Sequence, residues 1–228
     1  MKTRRPGLQR KWAYVVNSLQ EIVPSYEQAS SRISIFEDRR MRREAVGFAA
    51  AQGGKILDLG SGPGTMSRLV KKAGGEPVLL DASRAMLKAS GFKDVVQGVF
   101  EHLPFRSGAF EGGVSGFALR DAHDLKLALE EVDRVLRGGG RFSICDLGRP
   151  DSVLPELAVA LYLRVAPNVI GLVSAGRSGL RYGSIFDTYM LTLHNEELRG
   201  MLEAYIGEAR IHETQMGGSI VVSCTKPA

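Results

Sequence analysis

The apolar positions of this chain change period along its length, and each period predicts a different architecture. Trp12, Val15, Val16, Leu19 and Val23 recur at helical spacing, and Pro24 closes the run. A second helix is predicted over 37–51, stopping before Gly53-Gly54. From residue 55 the pattern becomes short apolar runs alternating with amphipathic stretches. Strands are predicted near 55–59, 77–81, 95–97, 111–117 and 140–146, and helices near 64–73, 83–90 and 124–137. Gly138-Gly139-Gly140 reads as the stop of the last of these helices. Strand–helix alternation of this kind specifies an α/β fold with a mostly parallel sheet and right-handed crossovers. After Pro150 the pattern changes again. Residues 153–175, rich in Leu, Val and Ala, read as a helical insertion interrupted by Pro155 and Pro167, followed by a loop over 176–182. A helix near 195–205 precedes two strands near 208–213 and 219–225. Gly217-Gly218 joins these strands as a hairpin, which makes one strand of a seven-stranded sheet antiparallel.

Composition bounds the class. The 228 residues, 44% apolar and 24% charged, suit one soluble α/β domain. No uninterrupted apolar run reaches spanning length, and the basic N-terminus lacks the apolar core of a signal peptide. Cys145 and Cys224, both in predicted strands, read as buried thiols of a reducing compartment, so the expected location is cytoplasmic. The net charge of +5 is concentrated early, in Lys2, Arg4, Arg5, Arg10, Lys11, Arg39, Arg40, Arg42 and Arg43. A basic face attracts anionic lipid or nucleic acid. A plain solvated helix surface explains the same residues equally well.

The chemistry concentrates at two places. Ile56-Leu57-Asp58-Leu59 forms a strand, and Gly60-Ser61-Gly62-Pro63-Gly64 turns the chain at its carboxyl end, where parallel sheets bind ligands. Asp81 ends the next apolar run about 20 residues later, where a carboxylate meets ribose hydroxyls. The third glycine is misplaced for a dinucleotide fingerprint, and Pro63 removes an N–H that a pyrophosphate cradle needs. The expected ligand is therefore a nucleoside without phosphates, such as S-adenosylmethionine. A tight strand-to-helix turn without a ligand is the alternative.

The order of motifs resembles the class I S-adenosylmethionine-dependent methyltransferases, specifically the UbiE/MenG family of quinone C-methyltransferases, over about residues 20–226. Residues Ile56 to Gly64 resemble the family's first motif, with Ser61 where Cys or Gly is usual. Leu80-Asp81-Ala82-Ser83-Arg84-Ala85-Met86-Leu87 is similar to its ribose-binding segment. Gly98-Val99-Phe100-Glu101-His102-Leu103-Pro104-Phe105 resembles G-D-A-E-x-L-P-F, and Phe117-Ala118-Leu119-Arg120-Asp121 resembles F-G-L-R-N. Glu131 to Gly140 resembles E-x-x-R-V-L-K-P-G-G. Ile22 to Glu27, Tyr182 to Ile185 and Gly217 to Val221 resemble the terminal pieces. Besides Ser61, two positions depart from the pattern, and the piece around Tyr182 is shortened. Val99 replaces the Asp that reads adenine, leaving that task to the Phe100 N–H and apolar packing, and Asp121 replaces Asn.

The resemblance implies a single Rossmann-like domain: an N-terminal helical lid (1–48), a cofactor-binding half (55–146), a helical substrate cap (150–205) and a C-terminal hairpin (206–228). It implies methylation of a prenylated quinol such as demethylmenaquinol; another small molecule, or less plausibly RNA, is the alternative acceptor. Implied cofactor residues are Asp58, Gly60, Ser61, Gly62, Pro63, Gly64, Asp81, Ala82, Met86, Val99, Phe100 and Gly116. Tyr26, Phe117 and Tyr182 are expected at the acceptor. Arg120 follows the fourth strand and stays protonated, so its expected task is to hold a water or a developing phenolate. Asp121 pairs with it or takes a proton; helix capping by Asp121 or Asp124 is the alternative. His102, His123, His194 and His212 lack metal spacing, so no metal is expected. The apolar segment 153–190 serves as a wall for an isoprenoid tail, as a face for a second copy, or as core. Contact with an anionic membrane is expected at the basic segment 39–43, and no nucleic-acid-binding module accompanies the charge.

Overall fold

A computed structural model describes residues 37–175 and 184–228. The first predicted helix, Tyr26, the 176–182 loop and Tyr182 lie outside the described residues.

The described chain runs α1 (Asp38–Ala49), β1 (Lys55–Leu59), α2 (Thr65–Lys72), β2 (Glu76–Asp81), α3 (Arg84–Ser90), β3 (Val95–Gln97), β4 (Phe110–Gly116), α4 (Leu125–Val135), β5 (Leu136–Leu147), α5 (Val153–Ala175), α6 (Ser184–Tyr189), α7 (Asn195–Tyr205), β6 (Ala209–Thr214) and β7 (Ser219–Thr225). The seven strands form one sheet in the order β3-β2-β1-β4-β5-β7-β6. β7 pairs antiparallel with both neighbours, and every other pairing is parallel. This is the predicted architecture.

Strand alternation sends side chains into two cores. Ile56, Val114, Cys145 and Val221 meet Met41, Ala45, Val46 and Val70 beneath α1 and α2. Leu57, Leu59, Phe142, Ile144 and Val222 meet Leu129, Val132 and Leu202 beneath α4 and α7. Sequence makes each helix locally. In α4, Leu125, Ala128, Leu129, Val132 and Val135 form the buried stripe, and Asp124 caps the start by accepting from the Lys126 and Leu127 N–H groups. Ser83 caps α3 through the Met86 N–H, and Gly91 ends it at φ +72°.

Two boundaries differ from the sequence reading. The helix before the triple glycine ends at Val135, and β5 begins at once with Leu136 opposite Phe110. The strand then runs through the glycines with a register shift before Gly112 meets Arg141. Glycine here permits a bulge, with Gly139 at φ +71°, rather than stopping a helix. The two prolines do not divide the insertion, because α5 is one 23-residue helix. Pro155 lies in its first turn, where a missing N–H costs nothing. Pro167 lies inside the helix but is buried, and α5 stays anchored to the sheet through Val159 and Leu163.

Candidate cofactor and acceptor site

Side chains converge at the carboxyl ends of β1, β2, β4 and β5. After Leu59 the chain turns through Gly60, Gly62 and Gly64 at φ +72°, +53° and +82°, which glycine adopts without strain. Both Gly60 and Ser61 donate backbone N–H bonds to the Leu80 carbonyl, at 2.8 and 3.0 Å, so the turn is tied to β2. A methyl group on Gly60 would overlap Ala118 Cβ and lie 3.0 Å from the Phe100 ring. The glycine therefore lets the loops after β3 and β4 close against the turn. Pro63 accepts from Arg68 Nη1 through its carbonyl.

Asp81 stands at the centre of the cofactor half. Its two carboxylate oxygens accept from the Gly62 N–H (2.8 Å) and the Ser83 N–H (2.7 Å). Burial raises its pKa above the ordinary carboxylate value, and these two N–H groups oppose the rise. A carboxylate has about four acceptor positions, so lone pairs are left for a diol. Ala82 adjoins it and accepts from the Gln97 amide. Met86 is buried, Phe100 lies under the turn, and Val99 is exposed on the loop after β3. Asp81→Ala is expected to lower the affinity for S-adenosylhomocysteine by about 1–3 kcal/mol, since a charged acceptor is lost. Calorimetry that finds unchanged affinity would reduce Asp81 to a tie between loops.

Asp58 points to the opposite face from Leu57 and Leu59 and is fully buried. It accepts from the Ser67 hydroxyl at 2.5 Å, while its second oxygen has no hydrogen-bond partner among the described residues. Burial pushes its pKa up to about 6, although the Ser67 hydrogen bond and the charge of Arg42 pull the other way. The Ser61 hydroxyl is likewise buried without a partner among the described residues. Unpartnered buried polar atoms around a glycine turn, beside a carboxylate with free lone pairs, are what a nucleoside carrying further polar groups needs.

The side chains expected at an acceptor lie at the ends of β4 and β5. Gly116 closes β4, and Phe117 follows at φ +60°, its N–H donating to the Cys145 carbonyl at 2.8 Å. A positive φ is strained for a bulky residue and is typical of ligand sites. A short 3-10 turn, Leu119–Asp121, carries Arg120. The sequence offered Asp121 as a partner of Arg120 or a proton acceptor; the structure adds Asp146, at the end of β5, accepting from Arg120 Nη1. The pair lines a small cavity with Leu119, Leu125, Ile144, Leu147 and Leu198. Asp124, not Asp121, caps the following helix.

Four contributions were not legible as functional. Asp146 repeats a visible signal, an apolar strand closed by aspartate, as Asp81 does. Glu101 accepts from the His123 and Asp124 N–H groups, fastening the loop after β3 to the loop after β4. Arg134 donates to the Leu103 and Phe105 carbonyls and to Glu131, which accepts from the Leu103 N–H. This clamp gives the E-x-x-R segment its purpose. Arg42, grouped with the surface arginines by sequence, is turned inward. Among the described residues no cluster of three His, Cys, Asp or Glu side chains is arranged to hold a metal.

A family described as "Methyltransferase domain" matches residues 57–144. The chain is 30% identical over 186 residues to a demethylmenaquinone methyltransferase of Paenarthrobacter aurescens strain TC1, covering 78% of this chain and 73% of that protein. It is 30% identical over 182 residues to the protein of that name from Mycobacterium tuberculosis strain CDC 1551, covering 78% of each. Among solved structures, the fold is similar to a methyltransferase of Thermotoga maritima described as a possible histamine N-methyltransferase. The TM-score is 0.64 at 18% identity, covering 92% of this chain and 98% of that one. The plantazolicin methyltransferase bound to S-adenosylhomocysteine gives a TM-score of 0.64 at 15% identity, covering 97% and 99%.

Proposed function

Because this chain belongs to the UbiE/MenG-type class I S-adenosylmethionine-dependent methyltransferases, we propose that its acceptor is the ring carbon of a prenylated quinol, a demethylmenaquinol or a related precursor. The observation that carries the reading is a cation at a small, mostly apolar cavity: Arg120, fixed by Asp146, among leucine and isoleucine side chains and Thr192. A phenol that loses its proton spreads negative charge onto ring carbon, and a fixed guanidinium at its oxygen stabilises that charge.

The cofactor supplies a methyl group on positively charged sulfur. The glycine turn and Asp81 hold the adenosine, with the Phe100 N–H and apolar packing in place of the missing adenine-reading carboxylate. On the acceptor side, Arg120 orients the oxygen and Asp121, on the same turn, receives the phenol proton. After the S–CH3 bond breaks and the C–CH3 bond forms, the ring carbon loses its own proton to water and the oxygen regains one, which restores the aromatic ring. Phe117, Tyr26 and Tyr182 position the ring. The residues act mainly by alignment, which is the largest contribution available to an in-line displacement. The test is transfer of labelled methyl from S-adenosylmethionine. Label is expected in a quinol-containing lipid extract and not in RNA. Label in RNA, or in a soluble acceptor alone, would overturn the quinol reading.

A lipid acceptor also gives a purpose to the outer face of α5. Val153, Leu154, Leu157, Leu161, Val165, Val169 and Leu172 are 50–79% exposed, while Val159 and Leu163 fasten the helix to the sheet. The stretch Val153–Ile170 is long and apolar enough to cross a membrane by length and composition. With Val159 and Leu163 fastened to the sheet, the reading is of a helix that lies along a membrane surface. Among the described side chains of α5, Arg164 is the only exposed charge. Arg39, Arg40 and Arg43 are exposed on α1, where Arg40 pairs with Glu37. Co-sedimentation with anionic vesicles is expected at low salt, and Leu157→Glu with Leu161→Glu should abolish it. Negligible binding of the unaltered protein to anionic and neutral vesicles alike would remove the membrane contact.

A further inference from the structure

Arg42 is the one arginine of its cluster that the fold takes out of water. Its helix, α1, shows Arg39, Arg40 and Arg43 to solvent, while Arg42 is 5% exposed on the stripe with Met41, Ala45, Val46 and Ala49. Burying a guanidinium is costly unless an anion and hydrogen bonds compensate. Here the compensation is incomplete. The guanidinium stacks 4.8 Å above the Phe117 ring, its Nε is buried without a hydrogen-bond partner, and no ion pair to it forms among the described residues. Its place is specific: a methyl group on Gly116 would lie 2.5 Å from Arg42 Nη1, so the charge sits at the carboxyl end of β4. Phe117, at φ +60°, carries the ring beneath it.

We propose that Arg42 binds the α-carboxylate of the methionyl tail of the cofactor. The proposal rests on the S-adenosylmethionine reading and extends it to a residue on α1. The same end of the sheet presents Asp58 on β1, on the same face as α1, with one carboxylate oxygen unpartnered among the described residues. A buried cation beside a buried anion, each with unused hydrogen-bonding capacity, matches a zwitterion. An α-amino acid attached to a nucleoside is that zwitterion. A bidentate guanidinium–carboxylate contact supplies what Arg42 lacks.

The test compares two ligands by calorimetry. S-adenosylhomocysteine carries the amino-acid tail, whereas 5′-methylthioadenosine has the same adenosine and thioether without it. Arg42→Gln is expected to weaken S-adenosylhomocysteine about 10- to 100-fold, the range of a lost charged hydrogen bond, and 5′-methylthioadenosine less than about 2-fold. Arg42→Lys keeps the charge without the fork and should restore part of the difference. It also serves if the glutamine variant does not fold, with the ratio of the two dissociation constants as the readout. Equal losses for both ligands, or no loss for either, would overturn the assignment of Arg42 while leaving the cofactor in place. An unaltered protein that binds neither ligand would remove the cofactor reading and the proposal with it.

Discussion

Replacement of Arg120 by alanine is expected to remove about 3–5 kcal/mol of folding stability, because it leaves the Asp146 carboxylate buried without its cation. The two side chains are only 11% and 4% exposed, so water cannot take over the role of the guanidinium. Asp146 keeps just its own following amide, the Leu147 N–H at 2.8 Å. Loss of turnover in this variant would therefore have two sources, misfolding and lost chemistry. The double variant Arg120→Met with Asp146→Leu separates them, since apolar side chains of similar volume often replace a buried pair with little loss of stability. It should recover most of the thermal midpoint, retain the affinity for S-adenosylhomocysteine, and stay nearly inactive. Recovery of turnover along with stability would make the ion pair a structural device only.

The second large effect concerns pH. Asp58 has its pKa pushed up to about 6 in the folded protein from an ordinary value of 3.8. The folded state therefore holds this proton more tightly than the unfolded chain. The resulting stabilisation is fully present below pH 3.8 and is lost as pH rises through about 6. The gap corresponds to about 3 kcal/mol. Asp58→Asn keeps an acceptor for the Ser67 hydroxyl and carries no charge. It should be more stable than the unaltered protein at pH 7.5 by up to about 3 kcal/mol, and nearly equal to it at pH 4. Urea unfolding of both proteins at the two pH values measures this. Parallel pH profiles would show that Asp58 does not carry the linkage. The cost of keeping a carboxylate here is consistent with a ligand that needs it, and the asparagine variant should bind S-adenosylhomocysteine more weakly at neutral pH.

What could be read in advance follows from how local each signal is. β1, β3 and α7 have the predicted bounds, because apolar period, caps and glycine stops lie within a few residues of one another. The glycine turn and Asp81 were legible for the same reason. The bulge in β5 was not, because three glycines stop a helix or relax a strand depending on a neighbour, here Phe110, 26 residues away. Pro167 was read as a break, since its cost is local while the packing of α5 on the sheet is not. Arg42 was misplaced because four arginines in five residues look like a solvated face, and only the position of the sheet tells which one turns inward. Asp146, which accepts from Arg120, is likewise 26 residues distant, beyond any local pattern.

The strand order reverses direction between β1 and β4, and the glycine turn and Asp81, proposed to hold the cofactor, lie beside that point. The elements nearest the proposed acceptor belong to a different stretch of chain, α5 and α6, placed between β5 and the terminal hairpin. Part of the proposed acceptor wall is thus encoded apart from the glycine turn, while Phe117, Arg120 and Asp146 on the loop after β4 and on β5 stand between the two. Inheritance can act on them unequally. On the proposed reading, substitutions in α5 and α6 would change the wall that meets the acceptor while leaving the glycine turn and Asp81 in place. An acceptor specificity written in this way can drift or be exchanged within a lineage without each step first passing through a protein that has lost its donor.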